Sequence, residues 1–567
     1  MPTAAHRSKI PFFSRLFLLA YALLVGWALY NYMILPSGLF AWDQAAHTVI
    51  GALVAQDIID GNWLAFFYDL YRQVYWPPVH PGLLGIAFAV GGNTPIVARS
   101  LSLFLFLGSA LLLYLAGSKL GPARGYRVAF IATILFLTSP GLLPFAGQVM
   151  LEMTAVFFLI LSLLLFFKID GDSPSWLRIA LGLALVATYL AKSNYGILLL
   201  ITLTLELLIE ARFQPKRFFS RANITITLPV IIAFVIWFAY PPKIQKTWAA
   251  MVNIPFGIKD PYSIEGLLFY PKALWQSSGN VLFFFLFIAS LIMILAKYRN
   301  RNLRFLALLI IVQLLLGELH QTKVARHILP VLPALFLCTG YVLAYQGFDF
   351  KIRGKKVRLS LLITIAALVY TQILLVDSLR PISTKFDQPA TAYISDAVSD
   401  NRSSLVISTI NLTNPTPPLL DWSLISAESL LNPVHSDVAM NYDQDKSIAS
   451  YAERDIVPSW LAGRINAAVR RNEKPGLVRT LYLDHSGSSY SQNPQGLSRY
   501  LQELNEDAKV DRVIIAIPND LEDSFIPAGT SPYTQDFFAP GLEKLGLRHV
   551  STQVFEKTNT RVEIYEK

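Results

Sequence analysis

The sequence Gly38-Leu-Phe-Ala-Trp-Asp43 follows an apolar run at residues 16–35, and Tyr75-Trp-Pro-Pro78 precedes a second apolar stretch. About 20 apolar residues are needed to cross the hydrocarbon core of a bilayer, so the first run predicts a membrane-spanning helix. A chain that leaves the membrane near Gly38 and turns back at the aromatic-Pro-Pro sequence holds Asp43 just outside the first span. This passage indicates a membrane-embedded fold that presents a carboxylate at the membrane surface.

The composition agrees with a membrane protein that carries a soluble tail. Of the 567 residues, 54% are hydrophobic and only 15% are charged, and the mean hydropathy is +0.45. A soluble domain carries about 25% charged residues. The deficit lies in residues 12–378, whereas residues 381–567 read as an ordinary soluble sequence. We therefore expect a transmembrane domain at 1–380 and a soluble domain at 381–567.

The formal net charge of +10 comes from basic residues in short clusters between the apolar runs. Such clusters are orientation signals in membrane proteins, so they argue against a nucleic-acid partner. The first apolar run is longer than the core of a signal peptide and is predicted to remain as the first helix. The single cysteine, Cys338, excludes an intrachain disulfide.

Hydropathy predicts an α-helical polytopic membrane protein with about eleven transmembrane helices. They lie at residues 12–35, 96–118, 126–146, 152–168, 176–191, 194–211, 223–240, 281–297, 304–319, 327–346 and 359–378. Five successive loops on the N-terminal side are rich in Lys and Arg, and such loops stay cytoplasmic. The N-terminus is thus predicted on the cytoplasmic side of the cell membrane and the soluble domain on the opposite side. The outer loops are predicted at 36–95 and 241–280.

Two further segments complete the predicted fold. Residues 81–92 are apolar but too short to span and begin with proline, so we expect a re-entrant or surface helix on the outer face. The tail alternates helical patterns at 390–400, 449–471 and 497–507 with β-branched runs at 405–410, 513–517 and 561–565. This alternation predicts a small C-terminal α/β domain.

Several short segments occur in an order that is typical of one superfamily. They are the first outer loop with Asp43 and Pro77-Pro78, the sequence Leu151-Glu-Met153, the sequence Ala191-Lys192, and the sequence Arg326-His-Ile-Leu-Pro330. Together they resemble the GT-C membrane glycosyltransferases, nearest to the bacterial branch related to protein O-mannosyltransferases and to the aminoarabinose transferases that modify lipid A. The resemblance covers roughly residues 12–378 and leaves the tail unmatched.

The resemblance implies that Asp43 is the catalytic base, because GT-C enzymes carry their base at this place in the first outer loop. Transfer from a polyprenyl phosphate needs a base that takes the proton of the attacking acceptor. Partial desolvation beside Trp42 would raise the affinity of this carboxylate for a proton. On the residues alone, Asp43 is equally well explained as the N-cap of a helix that starts near Gln44, since Asp is a favoured N-cap.

Glu152 is the second acid, and the related sequences usually carry Asp at this point. A carboxylate at the membrane boundary is costly and is therefore a functional candidate. The alternative is an acid that merely interacts with the positive end of its helix. We expect Glu152 to support the base or to position the acceptor.

The leaving group would be a lipid phosphate, so the outer face needs cations that stabilise its developing charge. The candidates are Lys192, Lys323 and Arg326, together with His327, which stands where the related sequences usually have Tyr. The alternative for Arg326 is a side chain that merely anchors its helix at the interface.

Arg72 and His80 flank the Trp76-Pro77-Pro78 sequence. Some relatives place a phosphate-binding Lys directly before the proline pair, where this chain has Trp76. Arg72 or His80 would then substitute for that lysine, and simple interfacial positions explain both residues equally well.

These residues together predict a membrane glycosyltransferase that uses a polyprenyl-phosphate-linked sugar and acts by direct, inverting displacement. The sugar, a hexose or a pentose, and the acceptor, which is a lipid, a polysaccharide or a protein, are left open. A divalent metal is compatible with the resemblance, as in oligosaccharyltransferases, but the sequence offers only Asp43 and Glu152 as a carboxylate cluster. The alternatives are a transporter or flippase of lipid-linked sugars, or an idle family member whose tail binds a partner. A transporter would favour two halves of matching hydropathy, and the sequence has none.

Overall fold

The structure is a computed structural model. It describes residues 12–36, 43–71, 77–92, 94–121, 124–241, 243–244, 247, 262–279, 281–320, 323–345, 349–352, 355–358, 369, 373, 379, 393–394, 396–397, 402, 404–408, 478–482, 510–518, 535–555 and 560–567. The chain separates into two compact units, Met1–Pro36 with Trp76–Ile382 and Ser37–Tyr75 with Ser383–Lys567.

The helices of the described residues follow the apolar runs of the sequence. In chain order they are α1 (Phe12–Leu29, continued by a π-helical turn at Tyr30–Ile34), α2 (Asp43–Ile59), α3 (Trp63–Tyr71), α4 (Val79–Gly91), α5 (Pro95–Gly117), α6 (Gly125–Leu137), α7 (Leu143–Ala146), α8 (Leu151–Lys168), α9 (Ser175–Ala191), α10 (Ser193–Glu210), α11 (Pro215–Phe218), α12 (Arg221–Phe238), α13 (Ile264–Leu267), α14 (Phe269–Ser278), α15 (Val281–Leu295), α16 (Arg301–Leu319), α17 (Val331–Tyr345) and α18 (Gln535–Lys544). A 3-10 turn at Ala325–Ile328 precedes α17.

The apolar helices confirm a polytopic membrane protein. Among the described residues, six helices are long and apolar enough to span a membrane, or seven if the bent pair 264–278 and 283–295 forms one span. Four shorter apolar helices, α4, α6, α9 and α17, accompany them. Ten of the eleven predicted helices correspond to observed ones. The eleventh, at 359–378, lies largely outside the described residues, so the count of eleven stays a prediction.

Two predicted boundaries were wrong. The single helix predicted at 126–146 is broken between α6 and α7, where Pro140 has no N–H to donate. The helix predicted at 327–346 begins only at Val331, because residues 325–328 form the 3-10 turn.

Residues 79–91 do form a helix of 13 residues, which is about 20 Å long at 1.5 Å per residue. This length is too short for a span.

Ion pairs tie three helices together at one end of the bundle. Arg304 of α16 donates to both carboxylate oxygens of Glu206 on α10, over 2.9 and 2.5 Å. One turn away, Arg301 donates to Glu210 (2.5 Å) and to the carbonyl oxygen of Ile169 just after α8 (2.6 Å). These contacts fix the C-terminal ends of α8 and α10 against the N-terminal end of α16. The polar cluster described below lies at the opposite ends of the same three helices.

The second unit contains a mixed five-stranded sheet. Its strands are β3 (Ser404–Ser408), β4 (Val478–Tyr482), β5 (Arg512–Pro518), β6 (Arg548–Phe555) and β7 (Thr560–Glu566), in the order β4-β3-β5-β7-β6. β3 runs parallel to β4 and β5, and β7 runs antiparallel to β5 and β6. Val513, Ile514 and Ile515 are fully buried, so both faces of β5, the middle strand of the sheet, are covered.

The sheet and α18 confirm the predicted α/β tail. The three β-branched runs are β3, β5 and β7. The helical patterns at 449–471 and 497–507 lie outside the described residues, and the pattern at 390–400 lies largely outside them. In the first unit, the basic loop after α17 contains a short antiparallel hairpin of β1 (Asp349–Ile352) and β2 (Lys355–Arg358).

α2 and α3 form a helical hairpin within residues 36–95, the predicted first outer loop. Gly61, with φ at 66°, supplies the left-handed turn between them. Asn62 then caps α3, because its Oδ1 accepts a hydrogen bond from the N–H of Ala65 over 3.1 Å. Asp43 is the first residue of α2, so this helix begins one residue before the predicted start.

Candidate active site

A buried carboxylate is the centre of the polar cluster in the first unit. Glu152 lies in the first turn of α8, and it is fully buried. Met150, the N-cap residue of α8, has an extended backbone, and its side chain accepts no hydrogen bond from the helix. The positive end of α8 therefore favours the negative charge of Glu152, and further charges must come from neighbouring elements.

Lys192 supplies the first of these charges. This residue has an extended backbone between α9 and α10, and its Nζ donates to Oε1 of Glu152 over 2.5 Å. The corner between the helices is tight, because a Cβ at Gly196 would lie 2.3 Å from the Cα of Tyr189. A glycine at this position lets α10 begin directly after Lys192, which points its ammonium group at α8.

Arg326 supplies the second charge to the same oxygen. It lies in the 3-10 turn before α17, and its Nε is 3.6 Å from Oε1 of Glu152. Its side chain is 34% exposed, whereas that of Lys192 is 13% exposed and that of Glu152 is 1% exposed. Side-chain exposure thus increases within the cluster from the buried acid to Arg326, which reaches the surface.

The segment that carries Arg326 is fixed from both sides by α16. Lys323 is buried, and its Nζ donates to the carbonyl oxygens of Gly317 and Glu318, each over 2.9 Å, and to Oε2 of Glu318 over 3.2 Å. These acceptors are the C-terminal carbonyls of α16, which a lysine can cap. On the other side of Arg326, the amide of Gln313 donates to the carbonyl oxygen of His327 over 2.8 Å.

Lys323 therefore caps a helix and anchors the loop, and its role as a phosphate ligand stays a prediction. The described contacts do not bring it to Glu152 as they bring Lys192 and Arg326. Gln313 was not among the predicted site residues. Its position in the middle of an apolar helix could have identified it, because burying an amide without a hydrogen bond costs free energy.

Two histidines border the cluster. Burial, with added repulsion from Lys192 and Arg326, lowers the pKa of His327 to about 3. His327 is therefore neutral at physiological pH. His80, fully buried at the start of α4, shares a hydrogen bond of 2.7 Å between its Nδ1 and Oγ1 of Thr154, and it interacts electrostatically with Glu152.

The remaining predicted residues belong to the first outer loop. Arg72 lies outside the described residues. Asp43 begins α2, and its side chain lies outside the described part of the chain. The same hairpin contains His47, Asp57 and Asp69, all fully buried and all missed as candidates. His47 follows Asp43 by four positions, so both residues lie on one face of α2.

The charged groups of the cluster do not balance. Lys192 and Arg326 carry two positive charges, Glu152 carries one negative charge, and neutral His327 adds none, so one positive charge is left. Among the residues that the structure describes, no three His, Cys, Asp or Glu side chains gather as metal ligands. Ammonium and guanidinium groups are donors that suit the oxygens of a phosphate.

Comparison with known proteins identifies the fold. No protein-family model and no curated protein sequence matches the chain significantly. The solved structure of ArnT from Cupriavidus metallidurans in the apo state is similar over 97% of both chains, with 12% identity and a TM-score of 0.52.

Two other solved structures are similar at the same level. The oligosaccharyltransferase from Archaeoglobus fulgidus in the apo form covers 89% of this chain and 70% of its own, with 13% identity and a TM-score of 0.53. The arabinofuranosyltransferase AftD from Mycobacteria covers 97% of this chain and 40% of its own, with 14% identity and a TM-score of 0.50. All three are GT-C glycosyltransferases, and the protein described here has the GT-C fold.

Proposed function

We propose that this protein is a multi-pass membrane glycosyltransferase that transfers a sugar from a polyprenyl-phosphate-linked donor to an acceptor outside the cytoplasm. The observation that carries the proposal is the convergence of Lys192 and Arg326 on one oxygen of the buried Glu152 within a GT-C fold. Such a preorganised cationic site suits a leaving phosphate, whose charge develops during the reaction.

The similar structures support a lipid phosphate as part of the substrate. The oligosaccharyltransferase AglB from Archaeoglobus fulgidus, with a TM-score of 0.52, is known in complex with an inhibitory peptide and a dolichol-phosphate. A polyprenyl phosphate bears one negative charge as a sugar diester and gains a second when the sugar leaves. A site with one excess positive charge therefore binds the donor and stabilises the product state further.

Each residue has a distinct role in the proposed reaction. The acceptor oxygen attacks the anomeric carbon, the bond between that carbon and the phosphate oxygen breaks, and the electron pair goes to the phosphate. Asp43 takes the acceptor proton as general base. Lys192 and Arg326 hold the phosphate, and Glu152 fixes both cations. Direct displacement inverts the configuration at the anomeric carbon.

Glu152 itself is a poor candidate for the base. A carboxylate that two cations already hold through one oxygen is badly placed to accept a proton from a substrate. The role proposed for it is therefore to position the cations, whereas the sequence suggested that it supports the base or positions the acceptor. Asp43 remains the base candidate on its place in the first outer loop.

The proposal is tested in a strain that lacks the gene. Envelope glycans and glycolipids are compared by mass spectrometry after complementation with the wild type, with Asp43→Asn, or with an empty vector. We expect one sugar to be lost from one envelope component and to return only with the wild type. An unchanged set of envelope glycans would contradict the proposed activity.

A further inference from the structure

Tyr195 is a buried phenol with an unused hydroxyl beside the candidate site. Its side chain is fully buried in the first turn of α10, and its hydroxyl has no hydrogen-bond partner among the residues that the structure describes. Nζ of Lys192 lies 5.3 Å from the centroid of its ring. The phenol also interacts electrostatically with Glu152 and Arg326. It therefore belongs to the cluster, although the proposed reaction has given it no role.

An unpaired hydroxyl is unfavourable in a protein interior, because it has lost its hydrogen bonds to water without replacement. A phenylalanine would pack equally well here without that cost. A buried hydroxyl donor beside the ammonium of Lys192 indicates a place where a polar ligand completes the hydrogen bond.

The chemistry around Tyr195 selects an anion as that ligand. The hydroxyl can donate one hydrogen bond, and the fixed charges near it include the ammonium of Lys192 and the guanidinium of Arg326. The N-terminus of α10, an 18-residue helix, adds the positive end of its dipole. A phosphate group has several acceptor oxygens and negative charge, which suits these donors.

We propose that the Tyr195 hydroxyl is a third phosphate ligand, which donates a hydrogen bond to the phosphate of the polyprenyl-phosphate carrier at the N-terminus of α10. This assignment rests on the function proposed above. It makes Tyr195 a binding residue whose hydroxyl is used only when the carrier is present, and whose loss leaves the folded protein without a broken bond.

The test uses Tyr195→Phe, which removes the hydroxyl and keeps the ring. Tyr345→Phe is the matched control, because the hydroxyl of Tyr345 accepts a hydrogen bond from the backbone N–H of Arg124 over 3.0 Å. Full-length proteins in nanodiscs are titrated with undecaprenyl phosphate and, separately, with undecaprenol, which lacks the phosphate. Melting temperatures are measured for each variant.

We expect Tyr195→Phe to weaken undecaprenyl phosphate binding about tenfold or more, the usual effect of losing a hydrogen bond to a charged group. Its undecaprenol binding and melting temperature should match or exceed those of the wild type. Tyr345→Phe should show the opposite pattern, with lower melting temperature and unchanged phosphate binding.

Two results would overturn the assignment and leave the proposed function standing. One is unchanged undecaprenyl phosphate binding by Tyr195→Phe while the wild type binds. The other is a lower melting temperature for Tyr195→Phe, because the hydroxyl would then make a structural bond. If the wild type itself does not distinguish undecaprenyl phosphate from undecaprenol, both the assignment and the proposed carrier are wrong.

Discussion

Nζ of Lys192 lies 2.5 Å from Oε1 of Glu152, although the two residues are 40 positions apart in the chain. The contact joins the first turn of α8 to the corner between α9 and α10, and Arg326 approaches the same oxygen from the turn before α17. In the proposed function, this buried acid holds two cations in place for a phosphate, and a different residue, Asp43, is the base.

Replacing Asp43 by Asn should remove the base and keep the shape of the side chain. We expect turnover to fall by about 10²–10⁴-fold, the usual contribution of a general base, with donor binding largely kept. Steady-state kinetics in nanodiscs measures both quantities. Asp60→Asn is the control, since Asp60 is exposed just after α2 and accepts from Gln56 over 2.8 Å. Wild-type turnover by Asp43→Asn would place the base elsewhere.

Glu152→Gln should destabilise the protein by leaving two cations without their common counter-charge. Breaking a buried pair by removing one partner costs about 3–5 kcal/mol. Glu210→Gln is the control, because Glu210 pairs with Arg301 but its side chain is 33% exposed, and exposed pairs contribute about 0–1 kcal/mol. Thermal melts compare the two variants.

A second substitution distinguishes pairing from packing at this site. Adding Lys192→Met to Glu152→Gln removes one of the two stranded cations, so the double variant should melt higher than Glu152→Gln alone. Equal melting temperatures for Glu152→Gln and Glu210→Gln would mean that the buried ion pair does not hold the cluster together.

Arg326 and Lys323 should differ in what their loss changes. Arg326→Ala should weaken donor binding about ten- to a hundredfold, with a smaller loss for Arg326→Lys, because lysine lacks the planar fork of donors that fits phosphate. Lys323→Met should mainly lower the melting temperature, since it strands the C-terminal carbonyls of α16. Arg299→Ala, on the exposed loop before α16, is the control. Stronger loss of donor affinity in Lys323→Met than in Arg326→Ala would restore Lys323 as a phosphate ligand.

The soluble domain is predicted to lie outside the cytoplasm, because five basic loops lie on the side of the N-terminus. A cysteine introduced as Ser486→Cys should react with a membrane-impermeant thiol reagent in intact cells. The native Cys338 is buried in α17 and should not react with the reagent. Labelling of Ser486→Cys only after cell lysis, in a folded protein, would reverse the predicted orientation.

Local sequence signals were enough for much of the fold. The apolar runs gave the membrane helices because a lipid-facing backbone must satisfy its hydrogen bonds within a helix. The β-branched runs at 405–410, 513–517 and 561–565 gave β3, β5 and β7 for a similarly local reason. The break at Pro140 was visible in the sequence but was overridden by the surrounding hydropathy. α18 was missed because its residues include Pro540 and Gly541, which disfavour a helix.

The candidate site needed the tertiary structure. The sequence selected Glu152, Lys192 and Arg326 one by one. Their charges meet at one oxygen only because α8 packs against the corner between α9 and α10 and because the turn before α17 lies beside it. Lys323 looked like Arg326 in sequence, three residues away on the same loop, but Lys323 caps the α16 carbonyls whereas Arg326 approaches Glu152. Tyr195 could not be selected, because a buried aromatic residue in an apolar helix normally indicates packing alone.

The most direct measurement of the proposed activity follows the lipid carrier itself. Purified protein in nanodiscs is incubated with envelope lipid extract from the deletion strain, and polyprenyl-phosphate species are measured by mass spectrometry over time. We expect the wild type to convert one polyprenyl-phosphate sugar to free polyprenyl phosphate and the sugar mass to appear on one acceptor. Asp43→Asn should do neither. A polyprenyl-phosphate sugar pool that stays intact with active, folded wild-type protein would contradict a glycosyltransferase.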